Sequence, residues 1–173
     1  PGGSTATFVE VRNKIIIQDG SGDDAIALLS TLNYAIVDGN IIDRGGTAVG
    51  TGLVGACVKI DTGGGTNTMA DVIATNNVCT NNLGTNVNLQ MAIAIPEAGV
   101  ARLTISNNII DKSSRGGIQA FANRTITNGN MISELGSTNG GIQITGGNGT
   151  ATNNNINGFG SWGIQINSAN NYI

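Results

Sequence analysis

Apolar and polar residues recur in the second half of the chain with a period of about 23 residues. Segments 107–119 and 153–165 align without a gap, and a third copy lies between them at 130–143. Each copy contains apolar residues in period-two alternation, broken by Gly, Asn and Ser, which predicts short strands. One copy holds too few apolar residues to bury a sheet face alone, so the repeat predicts coils that stack along one axis.

Extending this register toward the N-terminus aligns like residues into columns. An asparagine column is predicted at Asn40, Asn77, Asn108, Asn130 and Asn154. Two residues later, an inward apolar column is predicted at Ile42, Cys79, Ile110, Ile132 and Ile156. An apolar-x-apolar strand follows at Val58/Ile60, Ile93/Ile95, Ile118/Ala120, Ile142/Ile144 and Ile164/Ile166. A further inward position is predicted to open each next coil, at Ile36, Ile73, Ile105, Ile126, Ala151 and Ile173.

The asparagine column has two interpretations. Asparagine at a sharp bend tolerates left-handed backbone, and it can bond to turn backbone and to the equivalent Asn one coil away. The alternative is a set of solvent-facing turn residues. Because five asparagines stand in register, a buried ladder is favoured.

The Asn-Asn-x-Ile bend at 107–110 and the Gly-Ile-x-Ile strand at 141–144 resemble those of the right-handed parallel β-helix in pectate-lyase-like proteins and phage tailspikes. The copies cover roughly residues 36–173. The resemblance implies an all-β fold in which 36–173 form one continuous right-handed parallel β-helix of about six turns. It selects no function, because enzymes, adhesins and structural spikes share this fold.

Residues 1–35 are predicted to form an N-terminal strand and a short capping helix. Segment 18–32 has a capping Ser21, acidic residues in the first turn and apolar residues at helical spacing. Asp19, Ser21 and Asp23 alternate as calcium-loop ligands do. Ser30 stands where such a loop needs an acid, so the helix start is favoured.

Charge is sparse: 11% of the 173 residues are charged, the net charge is −3, and the eight Lys and Arg are scattered. Without a basic stripe, we expect no nucleic-acid partner, and without a run of about 18 apolar residues we expect no membrane span. The lack of His and of Cys-x-x-Cys predicts no metal site, and no cofactor is expected. The start at Pro1 suggests a processed chain or a fragment. Low charge with many Thr, Asn and Gly favours an extracellular, cell-surface or virion location.

The two cysteines fall in different columns. Cys79 replaces an Ile of the inward column, where a small apolar thiol packs well, and Cys57 aligns with Gly117, Gly141 and Gly163. Two buried free thiols are therefore predicted. A disulfide stays open, because the sequence does not show whether the Cα atoms come within about 7 Å.

One outward column holds two acids, Asp43 and Asp111, with Thr80 between them and Ser133 and Asn157 beyond. Glycoside hydrolysis needs two carboxylates about 5–9.5 Å apart, and strands stacked about 4.8 Å apart would meet that need. The catalytic candidates are Asp43, Asp111 and Glu134, with Lys112 and Arg115 as charge stabilisers. Asp is also common after a strand because it bonds turn backbone, and this interpretation is favoured over catalysis.

Uncharged side chains provide candidate ligand-binding positions. Gln119, Gln143 and Gln165 form an outward column, and Phe159 and Trp162 stand in the bend of the last full coil. Trp on a polar surface stacks on a sugar or on a neighbouring subunit. For Trp162, covering its own coil is the equal alternative.

Together these features predict a structural or adhesive solenoid of an extracellular or virion assembly. Residues around 150–173 would associate end to end with another copy, to which 7–11 would add a strand, or with a capping partner, because an uncovered solenoid end templates further pairing. Polysaccharide is a further candidate partner. The alternative is the polysaccharide-binding and cleaving shaft of a phage tailspike-like glycosidase or lyase.

Overall fold

The computed structural model describes residues 6–17, 24–29, 32–43, 55–61, 68–82, 91–113, 116–133 and 140–172. Within these ranges the chain forms fifteen strands and no helix. The strands are β1 (Ala6–Arg12), β2 (Ile15–Ile17), β3 (Ile26–Leu29), β4 (Leu32–Asp38), β5 (Ile41–Asp43), β6 (Val58–Asp61), β7 (Met69–Thr75), β8 (Val78–Asn82), β9 (Ile93–Ser106), β10 (Ile109–Ser113), β11 (Ile118–Asn128), β12 (Met131–Ser133), β13 (Ile142–Thr152), β14 (Asn155–Ile156) and β15 (Ile164–Tyr172).

The strands form two curled, parallel sheets. The nine-stranded sheet has the order β1-β4-β7-β9-β11-β13-β15, and β3 and β6 pair beside the first residues of β9. The six-stranded sheet has the order β2-β5-β8-β10-β12-β14. One passage of the chain through both sheets is one coil, and each coil adds a strand to each sheet. This confirms an all-β fold of stacked parallel strands, which is compatible with a parallel β-solenoid.

The predicted inward columns lie in register. On the six-stranded sheet, Ile42 pairs with Cys79, Cys79 with Ile110 and Ile110 with Ile132, and all four side chains are buried. On the nine-stranded sheet the paired inward residues are Val58, Ile93, Ile118, Ile142 and Ile164. The inward side chains of both sheets form one hydrophobic core, and each fully buried Ile contributes about 1.5–3 kcal/mol relative to an exposed one.

One predicted column is wrong by one residue in three of its members. The inward residues where each coil opens are Val37, Ala74, Ile105, Thr127 and Ala151. Ile105 and Ala151 were predicted correctly. Ile36, Ile73 and Ile126 each stand one residue before the inward position of their strand and face outward. They form an outward column with Thr104, in which Ile73 and Ile126 both pair with Thr104. Side chains alternate along a strand, so a slip of one residue moves a side chain to the other face. Ile173 lies outside the described residues.

The predicted N-terminal helix is also wrong where it can be compared. Residues 26–29 form β3, in which Ile26 pairs with Val58 and Leu28 with Ile60. The carboxylate of Asp24 accepts a hydrogen bond of 2.7 Å from the backbone N–H of Ala56 in the next coil. Burial of Ile26 and pairing to β6 override a weak helical pattern. The rest of the predicted helix, 18–23 and 30–31, lies outside the described residues.

Cys57 and Cys79 form a disulfide, so the expectation of two free thiols is wrong. Their Cα atoms are 6.0 Å apart, and 22 residues separate them in sequence. Both side chains are buried, and Cys79 lies between Ile42 and Ile110 as predicted. The bond joins β8 to the residue that precedes β6, so it links two consecutive coils through the interior.

Candidate functional site

Each coil enters the six-stranded sheet through a residue with left-handed backbone. The positive-φ residues at this bend are Asn13, Gly39, Asn76, Asn107, Gly129 and Asn153, with φ between 53° and 67°. Asparagine and glycine are the residues that adopt this conformation at low cost. At Gly129 a Cβ would lie 2.6 Å from Oδ1 of Asn107, so glycine also makes room for the Asn in the preceding coil.

The next residue in each bend belongs to the predicted asparagine ladder, which consists of Asn40, Asn77, Asn108, Asn130 and Asn154. The Oδ1 of Asn108 accepts hydrogen bonds from the backbone N–H and the Nδ2 of Asn77, at 2.9 and 3.0 Å. Its Nδ2 donates to Oδ1 of Asn130 at 2.9 Å and to the carbonyl of Ala74 at 3.0 Å. One side chain therefore bonds to the coils on both sides.

This pattern repeats along the ladder, whose members are 37, 31, 22 and 24 residues apart. Asn40, Asn77, Asn108 and Asn130 are at most 1% exposed, and Asn154 is partly buried. Because both Nδ2 hydrogens of Asn77, Asn108 and Asn130 are donated within the protein, the buried ladder is structural and has no donor left for a ligand.

Two of the three catalytic candidates, Asp43 and Asp111, lie in an outward acid column that also holds Thr80 and Ser133. Asp43 accepts a hydrogen bond from Nδ2 of Asn81 at 2.9 Å, and Asp111 accepts one from Oγ of Ser133 at 2.8 Å. Asp43 and Asp111 stand two rows apart, about 10 Å between backbone positions, close to the upper limit for an inverting glycosidase.

Of the remaining catalytic candidates, Lys112 is the one that falls within the described residues. Lys112 is exposed and has a left-handed backbone with φ of 56°, while Glu134 and Arg115 lie outside the described residues. Hydrolysis by Asp43 and Asp111 therefore stays the less favoured of the two interpretations.

The predicted glutamine column is present on the outer face. The Nε2 of Gln119 donates to Oε1 of Gln143 at 3.4 Å, and the Nε2 of Gln143 donates to Oε1 of Gln165 at 3.2 Å. These side chains are partly buried and bond to one another from coil to coil. Their role in ligand binding stays a prediction, and their contacts show an additional link between coils.

The single tryptophan packs on a glycine of the preceding coil. A Cβ on Gly140 would lie 1.9 Å from Cε3 of Trp162, so the indole ring occupies the space above this glycine. Phe159 is 47% exposed and its ring lies beside Gly163. These contacts favour the interpretation that Trp162 covers the solenoid itself, while Phe159 remains accessible.

Replacing Gly140 with alanine should displace the Trp162 ring. The added Cβ would overlap the indole, and overpacking of this kind costs about 1–3 kcal/mol. Because the chain has one Trp, its fluorescence reports the change directly, and we expect emission at longer wavelength and a lower urea midpoint. Ser161→Ala, at an exposed neighbour in the same bend, is the control. Unchanged emission in Gly140→Ala would contradict the packing described.

A groove that the sequence analysis did not identify lies on the outer face of the nine-stranded sheet. Its volume is about 380 Å³. One wall is the column Tyr34, Asp71, Arg102 and Arg124, which are paired in register from β4 to β11. The neighbouring outward column, which holds Ile73, Thr104 and Ile126, forms the other wall. We call this the arginine groove.

One ion pair organises the arginine groove. Nε and Nη2 of Arg102 donate to the two carboxylate oxygens of Asp71 at 2.5 and 2.6 Å. This hydrogen-bonded pairing lowers the pKa of the Asp71 carboxyl and raises the pKa of Arg102. Arg124, in the next row, is exposed and makes no ion pair with any described residue.

The sequence does contain a signal for this groove. Arg102 and Arg124 are 22 residues apart, close to the repeat period. Extending the columns to polar positions would have aligned Arg102 with Arg124. Aligning Asp71 and Tyr34 with these two arginines also requires the lengths of the longer early coils.

Comparison with protein-family models, curated proteins and solved structures finds no match. Within the described ranges, no helix is long and apolar enough to cross a membrane. In the same part of the chain, no group of three or more acidic, His or Cys side chains could hold a metal ion.

Proposed function

We propose that this chain is a structural and adhesive β-solenoid that assembles with other copies of itself on an extracellular or virion surface. The finer architecture we propose is a right-handed parallel β-helix of about six coils, similar to that of pectate-lyase-like proteins and phage tailspikes. The six rows of the smaller sheet and the asparagine ladder support this proposal. The ladder, the Ile core and the disulfide connect coil to coil, so the interior serves rigidity and the outer surface is available for contacts.

The observation that carries the assembly proposal is an apolar stripe on the outer face of the six-stranded sheet. The stripe consists of Ile15, Ile41, Val78, Ile109 and Met131, which pair in register from β2 to β12. Ile15 is 74% exposed, Ile41 48%, Ile109 43% and Met131 55%. Contiguous exposed apolar residues of this kind mark interaction surfaces, and here the parallel register aligns them along the solenoid.

The flanking residues favour a second copy in parallel orientation. The acid column lies on one side of the stripe, and the bend residues, Asn or Gly in every coil, lie on the other. Two copies packed stripe to stripe with antiparallel axes would place Asp43 opposite Asp111 of the other copy, and like charges repel. With parallel axes, the acid column meets the uncharged bends, so a two-fold axis along the solenoid gives the better match.

The stripe sets the expected strength of this contact. A stable interface buries about 800 Å² on each partner, and five side chains in one column cover less than that. We therefore expect weak lateral dimerisation that depends on protein concentration, and stronger association where many coils align side by side.

Sedimentation velocity at increasing concentration tests lateral assembly. The parent chain should show a concentration-dependent dimer, and Ile109→Lys should abolish it because a charge in the stripe would be buried without a partner. Leu29→Lys, at a residue that is 58% exposed on the other sheet, is the matched control and should dimerise like the parent. A parent chain that remains monomeric, or an Ile109→Lys variant that dimerises normally, contradicts the proposal.

Cross-linking tests the orientation. In the parallel dimer each stripe residue faces its own equivalent, so Ile109→Cys alone should form a covalent dimer on mild oxidation. In an antiparallel dimer, Ile109 would face Ile41, and covalent dimers would require a mixture of Ile109→Cys and Ile41→Cys chains.

End-to-end association is the second contact we propose. β1 and β15 lie at opposite edges of the nine-stranded sheet, and edge strands template further pairing. In this arrangement β15 of one copy pairs with β1 of the next in the parallel register used throughout the sheet. Deleting residues 1–11 should then remove longer oligomers and leave the lateral dimer intact.

A further inference from the structure

We infer that the arginine groove binds a saccharide that carries a carboxylate, with Arg124 as the residue that holds the acid group. This inference rests on the proposed adhesive function and names its ligand class. The groove lies on the nine-stranded sheet and the apolar stripe on the six-stranded sheet, so the two surfaces are available at the same time.

The unbalanced positive charge of the groove indicates that the ligand carries an acid group. The chain has a net charge of −3, yet the groove contains two guanidinium groups and one carboxylate, which leaves one positive charge unbalanced. Arg102 uses two of its donors on Asp71, whereas Arg124 is exposed and makes no ion pair with any described residue. A guanidinium with its donors free binds a carboxylate through two parallel hydrogen bonds.

The other surfaces of the groove fit a sugar ring. Ile73 and Ile126 contribute apolar contact, and the hydroxyl-bearing Thr104 stands between them in the same outward column. Tyr34, at the other end of the first wall, is 50% exposed. Pyranose rings have an apolar face that packs on aromatic and aliphatic side chains, and hydroxyl groups at their edges that bond to polar ones.

The spacing of the rows fits an extended oligosaccharide. Rows of a parallel sheet are about 4.8 Å apart, close to the length of one pyranose residue in an extended chain. Tyr34 and Arg124 lie three rows apart, about 14 Å, so a trisaccharide along the solenoid axis would reach both. The volume of about 380 Å³ lies in the lower part of the range for small-ligand sites.

A peptide is the less suitable ligand. Peptides that add to sheets use backbone hydrogen bonds at a free edge. In β4, β7, β9 and β11 the backbone groups pair with the rows on either side. The groove therefore offers side-chain contacts alone, which suits a ring with an acid group better than an extended backbone.

The test is a titration of the full folded chain, followed by isothermal calorimetry and by NMR of the backbone amides. The probes are a uronic-acid trisaccharide, the same trisaccharide with its carboxylates reduced to alcohols, a trisaccharide whose only acid groups are sulfate esters, and an acidic tripeptide. We expect the uronic-acid probe to bind with shifts at 71–73, 102–104 and 124–126, and the reduced probe to bind at least about tenfold more weakly, because the guanidinium–carboxylate bonds are lost. Equal binding of the reduced probe overturns the inference, as does preference for the sulfated probe or the tripeptide.

Four variants locate the site. Arg124→Gln should weaken binding of the uronic-acid probe at least about tenfold, the change expected when a charge-assisted pair is lost. Asp71→Asn should strengthen binding of the same probe, because the substitution removes the Asp71 carboxylate that Arg102 pairs with. Arg12→Gln removes one positive charge from the same sheet face, where Arg12 pairs with Glu10 and Asp38, and should bind like the parent. Tyr34→Ala should weaken binding, whereas Phe8→Ala, its equally exposed neighbour in the column, should not.

These outcomes separate the ligand from the assembly. If the uronic-acid probe does not bind and the Ile109→Cys dimer still forms, the groove inference is wrong and the assembly proposal stands. If the probe binds and Arg124→Gln and Arg12→Gln weaken it equally, the attraction comes from overall charge and the inference is also overturned.

Discussion

Replacing Asn108 with alanine should lower the free energy of unfolding by at least about 3 kcal/mol. The substitution leaves three groups without their partner: the backbone N–H of Asn77, one Nδ2 hydrogen of Asn77 and the carbonyl of Ala74. Asn108 is fully buried, and each unsatisfied buried group costs about 1–3 kcal/mol. Equilibrium unfolding in urea, monitored by circular dichroism, gives the difference.

Asn155 provides the control for this prediction. It is exposed on the outer face, one residue after the ladder position of its coil. Asn155→Ala should change the free energy of unfolding by no more than about 0.5 kcal/mol. If Asn108→Ala is no more destabilising than Asn155→Ala, the side chain of Asn108 does not hold adjacent coils together.

Breaking the disulfide should lower the free energy of unfolding by about 3 kcal/mol, the value expected when a cross-link closes a loop of about 22 residues in the unfolded chain. The slope of the free energy of unfolding against urea concentration should also become steeper, because the reduced unfolded chain exposes more surface. Unfolding with and without a phosphine reductant, compared by the same method, measures both effects.

The disulfide prediction has an internal control and a direct contradiction. Both cysteine side chains are buried, so thiol reagents should label neither of them until the reduced protein unfolds. In the Cys57→Ala/Cys79→Ala variant the reductant should have no effect. An intact mass of the native chain that shows two free thiols would contradict the bond.

The interior of the later coils was the most predictable part of the fold. Asn108, Asn130 and Asn154 recur at nearly constant spacing, and the apolar residues two positions later follow them. The physical reason is that stacking requires identical neighbours: an Asn that bonds to an Asn, and an Ile that packs on an Ile. The bend column of Asn and Gly has the same origin, since its backbone is left-handed in every coil.

The N-terminal coils were harder to predict from the sequence, because the local apolar pattern there differs from the pattern that strand pairing imposes. Ile26 and Leu29 are three residues apart, as on one face of a helix. Pairing of the segment to β6 nevertheless makes it a strand. The outward placement of Ile73 depends on a register one residue away from the one the pattern favours. Both errors concern which partner a strand meets, and that partner is distant in sequence.

The disulfide and the arginine groove depend on the cross-section of the coil. Cys79 lies in the six-stranded sheet and Cys57 directly precedes β6 of the nine-stranded sheet. They meet because the interior is narrow enough to bring their Cα atoms to 6.0 Å. Arg102 meets Asp71 because β9 follows β7 in the sheet although 31 residues separate them. Periodicity aligns residues within one column, and contacts across columns require the folded geometry.

Hydrogen exchange of the side-chain amides of Asn77, Asn108 and Asn130 tests the stacked-coil account most directly. Each Nδ2 donates both hydrogens to neighbouring coils, so exchange should require unfolding, and ¹⁵N-resolved NMR of the native chain should show all three Nδ2 groups protected. The exposed side chain of Asn155 should exchange at the rate of a free amide. If Asn77, Asn108 and Asn130 exchange as fast as Asn155, the ladder is not formed and the stacked solenoid described here is contradicted.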